Sequence, residues 1–182
     1  AISSIRAIGD VEYAEQPCAT VDELAQVRRA VDVPIAADES IRKAADPMRV
    51  VAADAADVAV LKVAPLGGMR AVLRLADEIG LPVVVSSALD TAAGMAAGVA
   101  AAAALDRLDL ACGLGTGSLF TVDVAEPFLP EHGVVAPRWF GRDVELLSDD
   151  AAADPDRVTW WHDRLRRCHE VLRRRGVEPD FA

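Results

Sequence analysis

Five short apolar runs at a nearly fixed interval constrain this 182-residue chain more than any other feature. They cover residues 11–14, 33–37, 58–62, 82–86 and 109–112, and their starts lie 22, 25, 24 and 27 residues apart. Helical patterns with their own start signals fill the gaps. Thr20 with Glu23 forms a capping box ahead of a helix reaching about residue 31. Asp46-Pro47 sets a cap and a first-turn proline before residues 48–53. Gly68 leads into residues 69–79, where Val72, Leu75, Ala76 and Ile79 share a face and Gly80 is the stop. Asp90 or Thr91 opens an alanine-rich helix that ends near residue 105.

Continuous apolar strands alternating with helices imply parallel strands buried on both faces. The repeat length fits either a (β/α) barrel or an open doubly wound sheet, both α/β folds. No GxGxxG follows the first strand, so no dinucleotide fingerprint is present. The turn Gly113-Leu114-Gly115-Thr116-Gly117 follows the last strand and suits a tight turn or close approach of backbone to a ligand. After residue 120 the pattern changes. Pro127, Pro130 and Pro137 mark loops with one or two short strands, one of them at residues 144–147. A final helix over 154–175 carries an apolar stripe of Val158, Trp161, Leu165, Cys168 and Leu172. The expected division is therefore residues 1–120 as a partial barrel and 121–182 as loops, short strands and a last helix packing back.

A formal net charge of −10 argues against nucleic-acid or anionic-membrane partners. The arginines at 164, 166, 167 and 173–175 are interleaved with Asp163 and Glu170, as on a solvated helix face. The longest uncharged run, residues 91–105, is shorter than the ~20 residues of a membrane span. Cys18, Cys112 and Cys168 are too scattered for a disulfide framework or a CxxC site. With no secretory signal visible, a reducing cytoplasm is the expected setting. None of His132, His162 and His169 has a metal-ligand partner at i+4.

Only two of the 19 basic residues are lysines, Lys43 and Lys62, and Lys62 ends an apolar strand. A lysine in a low-dielectric site is a compact charge, unlike the forked guanidinium of arginine. Parallel α/β folds build their sites at the carboxyl ends of strands. Those ends offer Glu15, Asp38, Lys62, then Ser86 and Ser87, then the Gly113, Leu114 and Gly115 turn. Two carboxylates and an ammonium there are costly to bury unless paired or metal-bound. Two converging carboxylates suit a hard divalent cation, best Mg²⁺. Glu39 and Ser40 follow Asp38 and could cap the next helix or support it.

Glu15 in Glu-Gln-Pro, Asp38 in Ala-Asp-Glu-Ser and Lys62 followed by Gly67-Gly68 resemble strands four, five and six of an enolase-superfamily barrel. Residues 86–91 and the Gly113–Gly117 turn resemble the muconate-lactonising subgroup. The resemblance spans roughly residues 10–120. It implies a Mg²⁺-dependent syn-dehydration of a small-molecule carboxylate in menaquinone biosynthesis, with a homo-oligomer compatible. Glu15 and Asp38 would be metal ligands, Lys62 the catalytic cation facing the substrate, Ser86, Ser87, Gly113, Leu114 and Gly115 the substrate-binding set, and Glu39 a supporting carboxylate. The sequence departs from the superfamily in lacking Lys-x-Lys on a second strand and an aspartate on a third. Five strands cannot close an eight-stranded barrel, for which ~250 residues are typical. The expectation is the carboxyl-terminal part of a longer enzyme. Cycloisomerisation or racemisation on the same fold, a Schiff-base lysine aldolase and an inactive remnant stay open.

Overall fold

A computed structural model describes residues 1–43, 46–141 and 153–177. The chain divides into two units, Ala1–Leu146 and Leu147–Ala182. Among the described residues, the first unit holds four parallel strands: β1 (Ala14–Glu15), β2 (Ile35–Ala37), β3 (Val58–Lys62) and β4 (Val83–Ser86). Its helices are α1 (Ile2–Arg6), α2 (Val21–Ala30), α3 (Asp46–Ala52), α4 (Val63–Leu66), α5 (Met69–Ile79) and α6 (Ala92–Ala103). Each strand pairs with its neighbour in sequence, in the order β1-β2-β3-β4. A doubly wound sheet reverses its strand order at a switch point. This sheet keeps one winding direction, as a barrel wall does.

Helices α2, α5 and α6 begin where the sequence predicts, whereas Asp46, expected to cap α3, is its first residue and accepts from the Arg42 and Lys43 N–H groups upstream. Thr20 caps α2 through a full capping box, accepting from the Glu23 N–H while the Glu23 carboxylate takes the Thr20 N–H. Gly67 and Gly68 have φ of 94° and 108°, a pair of turns that side chains resist, and they swing the chain from α4 into α5. Gly80 closes α5 in the left-handed conformation, and Val72, Leu75 and Ile79 are its buried face. One cap was not legible locally: Asp123 accepts the first N–H of α6, from Ala92, at 3.0 Å to each carboxylate oxygen.

Strand alternation sorts the sheet into two faces. Ile35, Ala37, Ala59, Leu61, Val83 and Val85 point toward the helices and join Leu24, Val50, Val72, Leu75, Met95 and Val99 in the main core. Fully burying a leucine or valine contributes about 1.5–3 kcal/mol, so this layer dominates stability. Ala36, Val58, Val60 and Val84 form a second cluster on the opposite face, flanked by Tyr13 and Leu110. Because side chains alternate along a strand, Glu15, Asp38, Lys62 and Ser86 share the parity of that second face.

One expectation needs correction. Residues 109–112 do not form a fifth strand. Among the described residues the pairing there is a single parallel bridge between Ser86 and Gly113, made by Gly113 N–H to Val85 O and Ser87 N–H to Gly113 O. Asp106, Arg107 and Asp109 are charged and exposed, with Arg107 paired to Asp109, so this stretch stays at the surface and only its end reaches the sheet. The segment after residue 120, expected as loops with one or two short strands, also feeds the core. Ala125 and Phe128 are buried in the main core, and one antiparallel bridge joins Glu131 to Val134. The strand expected at 144–147 lies outside the described residues.

The second unit contains α7 (Pro155–Arg174), opened by Asp154, whose side chain accepts from the Arg157 N–H. None of its residues is buried, so the expected apolar stripe is solvent-accessible. Among the described residues, no helix is long and apolar enough to cross a membrane.

Candidate active site

β3 is buried along its whole length and ends in Lys62, so the ammonium is delivered to the carboxyl edge of the sheet with little water around it. Asp38 follows β2 by one residue. Lys62 Nζ donates to Asp38 Oδ2 in a close ion pair. Lys62 is 7% exposed and Asp38 4%, so both charges have left solvent and depend on each other. The other Asp38 oxygen, Oδ1, is buried without a hydrogen-bond partner. The Arg42 guanidinium lies 3.7 Å from Oδ1 and is itself held at 3.0 Å by Glu39.

Glu15 completes the group from the end of β1. It lies at the solvent edge, yet its carboxyl is pushed above its ordinary 4.5. Lost hydration is the first cause and the negative charge of Asp38 the second, while Lys62 pulls the other way and Glu39 adds repulsion. Glu15, Asp38 and Lys62 thus come together at three successive strand ends. Glu39 is exposed and engaged with Arg42, outside the buried pair but within electrostatic reach of Glu15.

The fourth strand end divides its two serines. Ser86 is Lys62's register partner and shares its face. Ser87, one residue on, has the opposite parity and is 6% exposed. Its hydroxyl donates to Gly113 O at 3.0 Å and lies 2.7 Å from the Thr116 hydroxyl. It braces the turn from behind. A Cβ on Gly113 would sit 2.6 Å from Ser86 Oγ and 3.1 Å from Ser86 Cβ, so a side chain there would force Ser86 to shift. Leu114 is buried in the main core, against Gly98 of α6, and Gly115 opens the short 3₁₀ turn Thr116–Leu119. Of that turn, Gly113 lies beside Ser86, whereas the Leu114 side chain faces away into the core.

A parallel strand set ending in carboxylate, carboxylate and ammonium can be compared with known proteins. The sequence family described as enolase C-terminal domain-like matches residues 1–149. The chain belongs to that family. Among enolase C-terminal domain-like proteins, o-succinylbenzoate synthase of Mycobacterium ulcerans (strain Agy99) is 59% identical over 173 residues, 95% of this chain and 53% of that protein. The chain therefore spans about half the length of the curated relatives it matches. A muconate lactonizing enzyme from Pseudomonas fluorescens, solved with muconolactone, aligns with a TM-score of 0.67 at 28% identity, covering 78% of this chain and 40% of that one. An enolase from Pseudomonas fluorescens Pf0-1, solved with magnesium, potassium and tartrate, aligns with a TM-score of 0.56 at 26% identity, covering 61% and 27%.

The residues present fit a hard divalent cation. A buried carboxylate oxygen without a partner stands beside a second carboxylate that holds its proton too readily, and both supply oxygen. Among the described residues no cluster of three or more His, Cys, Asp or Glu side chains is poised for a metal, and Glu15 and Asp38 could offer it two carboxylates.

Two contributors escaped sequence reading. Arg42 faces Asp38 four residues later, and an i,i+4 acid-base pair could have flagged it. Gln16, between Glu15 and Pro17, ties the β1 and β2 ends together through its side chain, and nothing in its local pattern signals that role.

Proposed function

We propose that these residues supply the carboxyl-terminal barrel part of a Mg²⁺-dependent o-succinylbenzoate synthase acting in menaquinone biosynthesis. The reading is supported chiefly by the buried Lys62–Asp38 pair at adjacent strand ends, in a chain 59% identical to that enzyme. Such a dehydration removes a proton from the carbon beside a carboxylate and expels hydroxide from the next carbon. The ring then becomes aromatic.

Glu15 and Asp38 would hold the Mg²⁺, through carboxylates already facing one another. Bound Mg²⁺ supplies electrostatic stabilisation of the negative charge that builds on the substrate carboxylate. Lys62 would exchange part of its contact with Asp38 for that same charge, in a site where water is scarce. Ser86 and the Gly113 backbone, side by side at the β4 end, would position the succinyl or ring carboxylate. Ser87 and Thr116 hold the turn that presents Gly113. The sequence has no Lys-x-Lys, and the proton acceptor is not assigned to Lys62.

Turnover of the hydroxylated, non-aromatic carboxylate precursor is the test, followed by the absorbance of the aromatic product. Purified protein should need Mg²⁺, lose turnover with chelator, and lose it again in Asp38→Asn. Turnover indifferent to both would overturn the reading. The likeness to muconate lactonizing enzyme favours one rival, a cycloisomerase or N-acylamino acid racemase on the same fold. Faster turnover of muconate or an N-acylamino acid than of the succinyl precursor would select it. A Schiff-base aldolase fits less well, because Lys62 sits as the charged partner of a carboxylate.

A further inference from the structure

The parallel ladder between β1 and β2 ends in an unusual way. Ala14 N–H donates to Pro34 O at 2.8 Å and Gln16 N–H to Ala36 O at 2.9 Å. In a parallel ladder the next bond would run from Asp38 N–H to the Gln16 backbone carbonyl. Gln16 instead has a φ of 38°, a left-handed conformation uncommon for a non-glycine residue. Its side-chain Oε1 takes the bond, accepting from Asp38 N–H at 3.0 Å and from Ser40 N–H at 3.1 Å. Its Nε2 donates to Ser40 Oγ and to Cys18 O, each at 2.9 Å. Two lone pairs and two N–H groups are all used, so the amide is satisfied completely. Backbone N–H groups can only donate, which fixes Oε1 as the atom facing Asp38 and Ser40.

We infer that Gln16 is a positioning residue that sets the Asp38 carboxylate between Glu15 and Lys62 by replacing the last rung of the ladder with its side-chain amide. The residue touches neither Lys62 nor any reacting atom in this role. It clamps the turn Asp38-Glu39-Ser40 at two backbone donors, so the buried carboxylate leaves the sheet at one angle. Glu15 immediately precedes Gln16, so the same residue fixes the second carboxylate relative to the first. Where the clamp is cut, Asp38 keeps its pair with Lys62 but its orphaned Oδ1 is free to drift from Glu15. Partners of this kind change metal affinity by about 10–100-fold when removed.

The inference rests on the reading of Glu15 and Asp38 as metal ligands, and the test separates the two. Mn²⁺ affinity is measured by electron paramagnetic resonance on wild-type protein, Gln16→Ala and Gln16→Glu, with amide hydrogen exchange at Asp38 and Ser40 in metal-free samples. Gln16→Ala should bind Mn²⁺ about tenfold or more weakly and exchange faster at both amides. Gln16→Glu keeps an oxygen at the acceptor position and should recover most of the amide protection and part of the affinity. Wild-type affinity and protection in Gln16→Ala, or a Gln16→Glu protein no better than Gln16→Ala in either readout, would overturn the positioning role. Wild-type protein that binds no Mn²⁺ would sink the metal reading, and amide exchange would still decide the clamp.

Discussion

Lys62 Nζ and Asp38 Oδ2 form an ion pair across two adjacent parallel strand ends, with both residues more than nine-tenths buried. The pair is therefore a charge arrangement the fold must maintain whether or not a ligand is present.

Removing one member should cost more than removing both. Lys62→Met leaves Asp38 buried and uncompensated, and a loss of about 3–5 kcal/mol is expected from urea denaturation. Asp38→Asn with Lys62→Met in one chain should be less destabilised than the sum of the single changes. Strictly additive losses would show that the two groups are not coupled.

The α2 cap offers a clean control away from the site. Thr20→Ala removes the hydroxyl that accepts the Glu23 N–H and should lower stability by about 1 kcal/mol. Mg²⁺ or Mn²⁺ affinity in the same variant should be unchanged, because Thr20 stands outside the group formed by Glu15, Asp38 and Lys62.

Gly113 is predicted from packing to be intolerant of any side chain. The Cβ of Gly113→Ala would meet Ser86 Oγ at 2.6 Å and Ser86 Cβ at 3.1 Å. Thermal unfolding should show a loss of about 1–3 kcal/mol, and the amide of Ser87, which donates to Gly113 O, should exchange faster. Wild-type stability with full protection would mean that the turn has room to move.

Thiol reactivity should follow burial. Burial pushes the Cys112 thiol above its ordinary 9.0, against a smaller opposing effect from its Val85 hydrogen bond. The thiolate is the reactive form, so iodoacetamide at pH 8 should label exposed Cys168 first and Cys112 slowly. The folded state binds the Cys112 proton more tightly than the unfolded chain does. Stability from this group is thus intact below pH 9 and falls as pH rises above 9 through the elevated value. Equal labelling rates at pH 8 would contradict this.

Much of the site was legible because strand parity is a sequence property. Residues 58, 60 and 62 alternate with 59 and 61, so Lys62 had to share a face with Val58 and Val60. The same counting separates Ser86 from Ser87, which lie together in sequence but on opposite faces in space. What could not be read depends on distant partners. Gln16 reaches residues 22 and 24 positions away, and the α6 cap comes from Asp123, 31 positions after Ala92. The false fifth strand has a different cause. Residues 109–112 have an apolar end, yet the charges at 106, 107 and 109 keep the approach to it in solvent.

The central claim is that Glu15 and Asp38 are the protein's ligands for a divalent cation and that Lys62, paired with Asp38, is the counter-charge to the anion that forms on the substrate. Calorimetric titration of Mg²⁺ into wild-type protein, Asp38→Asn and Glu15→Gln tests it most directly. One saturable site in the wild type, lost or weakened by about tenfold or more in each variant, is the expected result. Binding that is unchanged in both variants would contradict the account.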